Sequence, residues 1–209
     1  MKEALRKSGI VPVIKLEETE KAAALAKALK KGGISCGEVT FRAKGAEQVI
    51  EAMLDSCPDM LVGAGTVLTI EEAEKAVQAG ARFMVSPGFD GEIVDFALAN
   101  DILPLPGCVT PTEIQMALKK GLDMVKFFPA VQFGGAAAIK ALAGPFSNLM
   151  FMPTGGVSLE NLEEYLKVKN IIACGGSFMV KEQLLKEERW DEITQLSRQA
   201  MEIVGRVRA

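Results

Sequence analysis

The chain has 209 residues, 49% hydrophobic and 24% charged, a balance that suits one soluble globular domain over residues 1–209 with a sizeable core. A net charge of −3, a pI near 5.3 and the lack of any Lys/Arg-rich run exclude a basic face for nucleic acid. No apolar run approaches the ~18 residues of a membrane span, and the opening Met1-Lys2-Glu3-Ala4-Leu5-Arg6-Lys7-Ser8 mixes charges where a secretory signal would be apolar, so a cytoplasmic protein with no membrane partner is expected.

Eight apolar, β-branched or aromatic runs follow, each trailed by a stretch with helical spacing. Residues 10–15 read as the first strand, before an alanine-rich helix over 19–31 that stops at Gly32-Gly33. Residues 35–42 are the second strand, with a helix over 45–55. Residues 61–65 are the third, and Thr69 caps a helix over 70–79. The fourth strand (82–86) precedes a helix over 90–99, and the fifth (102–105) a helix from Thr110 or Pro111 to Lys120. The sixth strand, Asp123-Met124-Val125-Lys126-Phe127-Phe128-Pro129, leads to a helix over 135–143. The seventh (149–153) leads to a helix over 158–166, and the eighth (170–174) to a short helix and a long one over 190–207. Ile193, Leu196, Ala200, Ile203 and Val207 recur at helical spacing in that last segment and should lie against a core.

Strict alternation of strand and helix implies a parallel sheet with right-handed crossovers. Eight units in this length suit an α/β fold of the smallest closed kind, a (β/α)8 TIM barrel. An open doubly wound sheet is the alternative, but no G-x-G-x-x-G follows the first strand.

Chemistry in such a barrel sits at the carboxyl ends of the strands. There Lys126 is a single cation among apolar neighbours on both faces of its strand. Desolvation disfavours an ammonium, and a free amine attacks carbonyls, so Lys126 reads as a Schiff-base nucleophile; the bland reading is a lysine snorkelling to solvent. In Glu38-Val39-Thr40-Phe41-Arg42 the period of two puts a carboxylate, a hydroxyl and a guanidinium on one face, either as a structural Glu38–Arg42 ion pair or as acting groups. Gly63-Ala64-Gly65-Thr66 permits close approach and offers a hydroxyl, or is a tight turn with a threonine cap. Ser86-Pro87-Gly88 and Leu105-Pro106-Gly107 end the fourth and fifth strands in similar turns.

Pro153-Thr154-Gly155-Gly156-Val157 and Cys174-Gly175-Gly176-Ser177 each open from a glycine pair into a helix, which suits a phosphate, and Lys15 at the end of the first strand would add a cation. The absence of histidine excludes a histidine-ligated zinc site and the commonest general base, so acid–base work falls to carboxylates, lysine, tyrosine or water. Cys36, Cys57, Cys108 and Cys174 have no C-x-x-C spacing and read as reduced, mostly buried thiols. No metal or organic cofactor motif is present. The implied substrate is a phosphorylated keto acid, and the implied chemistry is carbon–carbon bond cleavage or formation through an iminium.

These stretches, together with Val62-Gly63-Ala64-Gly65-Thr66-Val67, Val85-Ser86-Pro87-Gly88 and Lys126-Phe127-Phe128-Pro129-Ala130, closely resemble the class I 2-keto-3-deoxy-6-phosphogluconate (KDPG) and 4-hydroxy-2-oxoglutarate (KHG) aldolase family, in order over nearly the whole chain. The resemblance implies a (β/α)8 barrel, a homotrimer, and cleavage of KDPG to pyruvate and glyceraldehyde 3-phosphate without a metal or other cofactor. It gives Lys126 the Schiff base, and Glu38 the role of the base and acid that shuttles protons through a bound water. It assigns Arg42 and Thr66 to the carboxylate pocket, Pro87 and Phe128 to the pyruvyl group, and Thr154, Gly155, Gly156, Gly176 and Ser177 to hydroxyl and phosphate binding. Some relatives carry arginine where this chain has Lys15. Competing readings are a KHG or galactonate-series aldolase, a phosphate-binding barrel synthase without a Schiff base, and a catalytically silent sugar-phosphate binder.

Overall fold

A computed structural model describes residues 1–208. Its eight strands are β1 (Ile10–Ile14), β2 (Cys36–Thr40), β3 (Leu61–Gly65), β4 (Phe83–Val85), β5 (Leu103–Leu105), β6 (Met124–Phe127), β7 (Met150–Pro153) and β8 (Cys174–Gly176). Before them comes helix α1 (Lys2–Ser8); between them lie α2 (Ala22–Lys31), α3 (Ala46–Ser56), α4 (Ile70–Gln78), α5 (Gly91–Ala99), α6 (Pro111–Lys119), α7 (Gly135–Ala143) and α8 (Leu159–Leu166). The chain closes with α9 (Glu182–Lys186) and α10 (Trp190–Arg208).

Every strand pairing is parallel, in the order β5-β4-β3-β2-β1-β8 with β6-β7 as a separate pair. Bridges between Gly107 and Lys126 and between Thr154 and Gly175 join the two pieces into a ring. Lys126 N donates to Pro106 O and Cys108 N to Lys126 O, both at 2.9 Å, so the backbone of β6 is stitched directly to the segment after β5. This is the expected (β/α)8 arrangement. In ring order β2 and β6 stand opposite each other, so inward side chains on the two face one another across the lumen.

Helix ends follow from local chemistry. Thr69 and Asp90 accept backbone hydrogen bonds at the starts of α4 and α5, and Thr110 forms a capping box with Glu113 at the start of α6. The core between barrel and helices is aliphatic, with Phe127 of β6 meeting Phe151 of β7 edge-on at 6.4 Å.

Three elements differ from the sequence expectation. Residues 2–8 form α1, a helix with only Leu5 buried, too charged to show an apolar stripe; Gly9 ends it at φ 64° with its N–H on Leu5 O. The eighth strand is not 170–174 but Cys174–Gly176, paired to Ile10, Val11 and Pro12, while Ile171 makes only an isolated bridge to Phe151. Its glycines read as turn punctuation, yet they lie in the strand because neighbours fill the space a side chain would need: a Cβ on Gly175 would sit 2.3 Å from Thr154 Oγ1. In α10 the buried stripe is Ile193, Thr194, Ser197, Ala200 and Val204, with Leu196, Ile203 and Val207 partly buried beside it. The small residues win the centre because α2 comes very close; a Cβ on Gly32 would lie 2.4 Å from Ser197 Cβ, and Thr194 Oγ1 donates to Ala28 O at 3.0 Å.

Candidate active site

The carboxyl ends of the strands open into a cleft of 420 Å³. Lys126 reaches it from β6 and Glu38 from the opposite strand β2, and Lys126 Nζ stands 3.5 Å from Glu38 Oε1. Glu38 is fully buried and Lys126 is 4% exposed. Neither oxygen of Glu38 accepts a hydrogen bond from any described residue, so the ammonium across the lumen is its compensating charge. The Phe128 ring lies with its centroid 5.0 Å from Nζ, within reach of a cation–π contact.

The strand alternation holds for Glu38 and stops short of Arg42. β2 ends at Thr40, whose hydroxyl donates to Ile14 O at 3.0 Å and is structural. Arg42 enters the cleft lining from the following turn, exposed, and among the described residues it forms no ion pair with Glu38 or any other acid. The structural Glu38–Arg42 pair therefore gives way to the Glu38–Lys126 pair. An unpaired guanidinium at the rim presents a fork suited to a carboxylate.

Thr66 follows β3 in the left-handed region, φ 55°, where a β-branched residue is an outlier worth about 1–3 kcal/mol of strain. The turn is imposed from both sides: Phe41 N donates to Gly65 O at 2.8 Å, and Val67 N to Val85 O at 3.1 Å. The threonine is not a helix cap, since that place belongs to Thr69. Pro87 lines the cleft beyond β4, over a Gly107 whose Cβ would meet the Pro87 carbonyl oxygen at 2.0 Å.

On the other wall, Thr154 follows β7 with its hydroxyl buried and unpartnered among the described residues. Gly155 and Gly156 take φ +100° and +78°, a pair of left-handed residues that turns the chain toward α8. Their N–H groups, and that of Ser177, donate to no backbone carbonyl among the described residues. Gly176 and Ser177 complete this wall. The loops after β7 and β8 thus bring open N–H donors and hydroxyls together, which is what an anion requires.

The residues to which the resemblance gave a role border this cleft; Lys15 and Thr40, also singled out in the sequence, do not. β1 ends at Ile14, and Lys15 turns away to an exposed cluster with Glu17, Glu18, Glu182 and Lys186. Lys15 forms no ion pair among the described residues, and its charge adds to the lowering of Glu182 that the Lys186 hydrogen bond begins. Sequence reasoning missed Val13, which also lines the cleft, as do Val157 and Gly175 of the two glycine motifs. Val13 was accessible by strand alternation, being paired in register with Glu38.

All four cysteines are free and buried. Burial pushes the Cys36 and Cys108 thiols up to about 12, and Cys174 higher still, so these thiols are not nucleophiles near neutral pH. No cluster of three or more Asp, Glu or Cys able to hold a metal occurs among the described residues, and none of their helices is long and apolar enough to cross a membrane.

The family model for KDPG and KHG aldolase matches residues 1–196. The chain is 47% identical over 203 residues to 2-dehydro-3-deoxy-phosphogluconate aldolase of Treponema pallidum (strain Nichols), covering 97% of each. It is 40% identical over 193 residues to the KHG/KDPG aldolase of Escherichia coli (strain K12), covering 92% of this chain and 91% of that one. A crystal structure of KDPG aldolase from Legionella pneumophila, with pyruvate captured at low pH as a covalent carbinolamine intermediate, matches with a TM-score of 0.91 at 39% identity, over 94% of this chain and 96% of the other.

Proposed function

The chain belongs to the KDPG and KHG aldolase family, and from that premise we propose that it is a Schiff-base aldolase cleaving 2-keto-3-deoxy-6-phosphogluconate reversibly to pyruvate and glyceraldehyde 3-phosphate. The observation that carries the reading is the buried Lys126–Glu38 pair, 3.5 Å apart across the mouth of the barrel. Lys126 Nζ adds to the C2 ketone, and loss of water gives an iminium. The iminium withdraws electrons from C3, so the C3–C4 bond breaks as Glu38 takes the C4 hydroxyl proton, leaving a pyruvyl enamine and releasing the aldehyde. Protonation of the enamine at C3 and hydrolysis return pyruvate and free Lys126.

Arg42 and Thr66 hold the substrate carboxylate, with Pro87 and Phe128 against the pyruvyl group. The wall formed by Thr154, Gly155, Gly156, Gly176 and Ser177 takes the hydroxyl and phosphate end. Lys15 lies outside the cleft lining, so the phosphate reading rests on the N–H groups and hydroxyls of this wall. No metal is required, because the iminium does the work of an electron sink. The reading extends to a single domain and to a cytoplasmic homotrimer, for which the exposed Val131 and Phe133 are suitable contact surface.

The direct test is pyruvate release in EDTA-treated protein, comparing KDPG, its galactonate-series epimer and 4-hydroxy-2-oxoglutarate. A kcat/KM for KDPG at least about tenfold above that for the unphosphorylated substrate is expected from a phosphate bound by several charge-assisted hydrogen bonds. Comparable values would move the assignment to the KHG reading, and loss of activity in EDTA would overturn the Schiff-base reading.

A further inference from the structure

Gly65 closes β3 with ordinary strand geometry. It pairs in register with Thr40, and its carbonyl accepts from Phe41 N at 2.8 Å. It is not among the glycines with positive φ, so its backbone does not call for glycine. Space does. A Cβ on Gly65 would lie 2.3 Å from Glu38 Oε1, 2.6 Å from Cγ and 2.8 Å from Cδ. The three nearest atoms all belong to one side chain, beyond its Cβ.

Gly63 and Gly107 differ in this respect. A Cβ on Gly63 would meet the Phe83 ring at 2.4 Å, and one on Gly107 would meet the Pro87 backbone, so those two glycines serve packing and chain crossing. Of these three glycines, Gly65 is the one whose missing side chain corresponds to the volume occupied by the proton carrier.

We propose that Gly65 is a positioning residue for Glu38: the bare strand at this position is the slot that holds the carboxylate within reach of Lys126. This rests on the reading of Glu38 as the proton carrier. Because the Glu38 oxygens accept no hydrogen bond from the described residues, shape fixes their place, with the β3 backbone on one side and Lys126 on the other. A methyl group at position 65 would push the carboxylate by about 1 Å or more to regain ordinary contact. Misplacement of a reacting group by about 1 Å is enough to lower a rate roughly 10²-fold.

The experiment compares Gly65→Ala, Glu38→Ala and the double variant by kcat and KM for cleavage, by exchange of the pyruvate methyl hydrogens in D2O, and by borohydride trapping of pyruvate. Gly65→Ala should lower kcat and methyl exchange by about 10²-fold, with KM within about threefold and trapping on Lys126 retained. In the Glu38→Ala background the same change should alter the residual rate by less than about threefold, because the methyl enters room already vacated. A Gly65→Ala enzyme near wild-type rate, or an equal loss in both backgrounds, would overturn the proposal. Should Gly65→Ala fail to fold, folding of the double variant would locate the conflict at the Glu38 side chain, and failure of both would place it in the backbone and overturn the idea. Full activity in Glu38→Ala alone would instead remove the proton-carrier reading itself.

Discussion

Replacing Lys126 by Met keeps most of the volume and removes the charge facing Glu38. At 3.5 Å and an effective dielectric constant of about 20, the lost attraction is about 5 kcal/mol. Glu38 is fully buried and without hydrogen-bond donors among the described residues, so little else compensates it. Truncating one member of such a pair costs about 3–5 kcal/mol, and Lys126→Met should destabilise the fold by that amount. Glu38→Gln leaves the ammonium, whose head borders the open cleft, and should cost less, about 1–3 kcal/mol. The double variant has neither charge, and its loss should fall short of the sum of the two single losses by about 2 kcal/mol or more. Urea unfolding followed by circular dichroism at pH 7 gives the four stabilities, with unchanged m-values as the check on a common unfolding transition. Single changes that add to within about 0.5 kcal/mol would refute direct coupling of the two groups across the lumen.

Arg42→Lys keeps the charge but loses the fork, so KM for KDPG should rise about tenfold or more while kcat moves by less than about threefold, as steady-state kinetics would show. Gly32 has φ −80°, which alanine adopts freely, so Gly32→Ala should destabilise by about 1–3 kcal/mol through the overlap with Ser197 and Thr194 O alone, read as a lowered Tm. Iodoacetamide at pH 8 should leave all four thiols of the folded protein unmodified and label them in denaturant, since burial holds Cys36 and Cys108 near 12. Rapid labelling of any of them in the folded protein would contradict that burial.

Lys126 and Glu38 were legible in the sequence because each is a charge set among the apolar residues of a strand, and a charge placed there needs a partner or a task. The barrel was legible because strand and helix periods alternate without interruption. What escaped was decided by contacts distant in sequence. Lys15 shares the alternation of Val13, but the strand ends one residue before it and the chain turns. The eighth strand was set too early because Ile171 and Ile172 look more like a strand than Cys174-Gly175-Gly176, in which Gly175 leaves room for Thr154. The strained φ of Thr66 has no signature in its residue type, since threonine is the wrong residue for that region. The same holds for Gly65, where the reason for glycine is a carboxylate from another strand.

The central claim is that Lys126 forms the covalent bond to substrate. Incubating the protein with pyruvate, reducing with borohydride and mapping the added mass by peptide mass spectrometry tests it directly. A stable adduct on Lys126, absent in Lys126→Met, is expected. A folded protein that yields no adduct, or one that carries it on another lysine, would rule out Lys126 as the nucleophile.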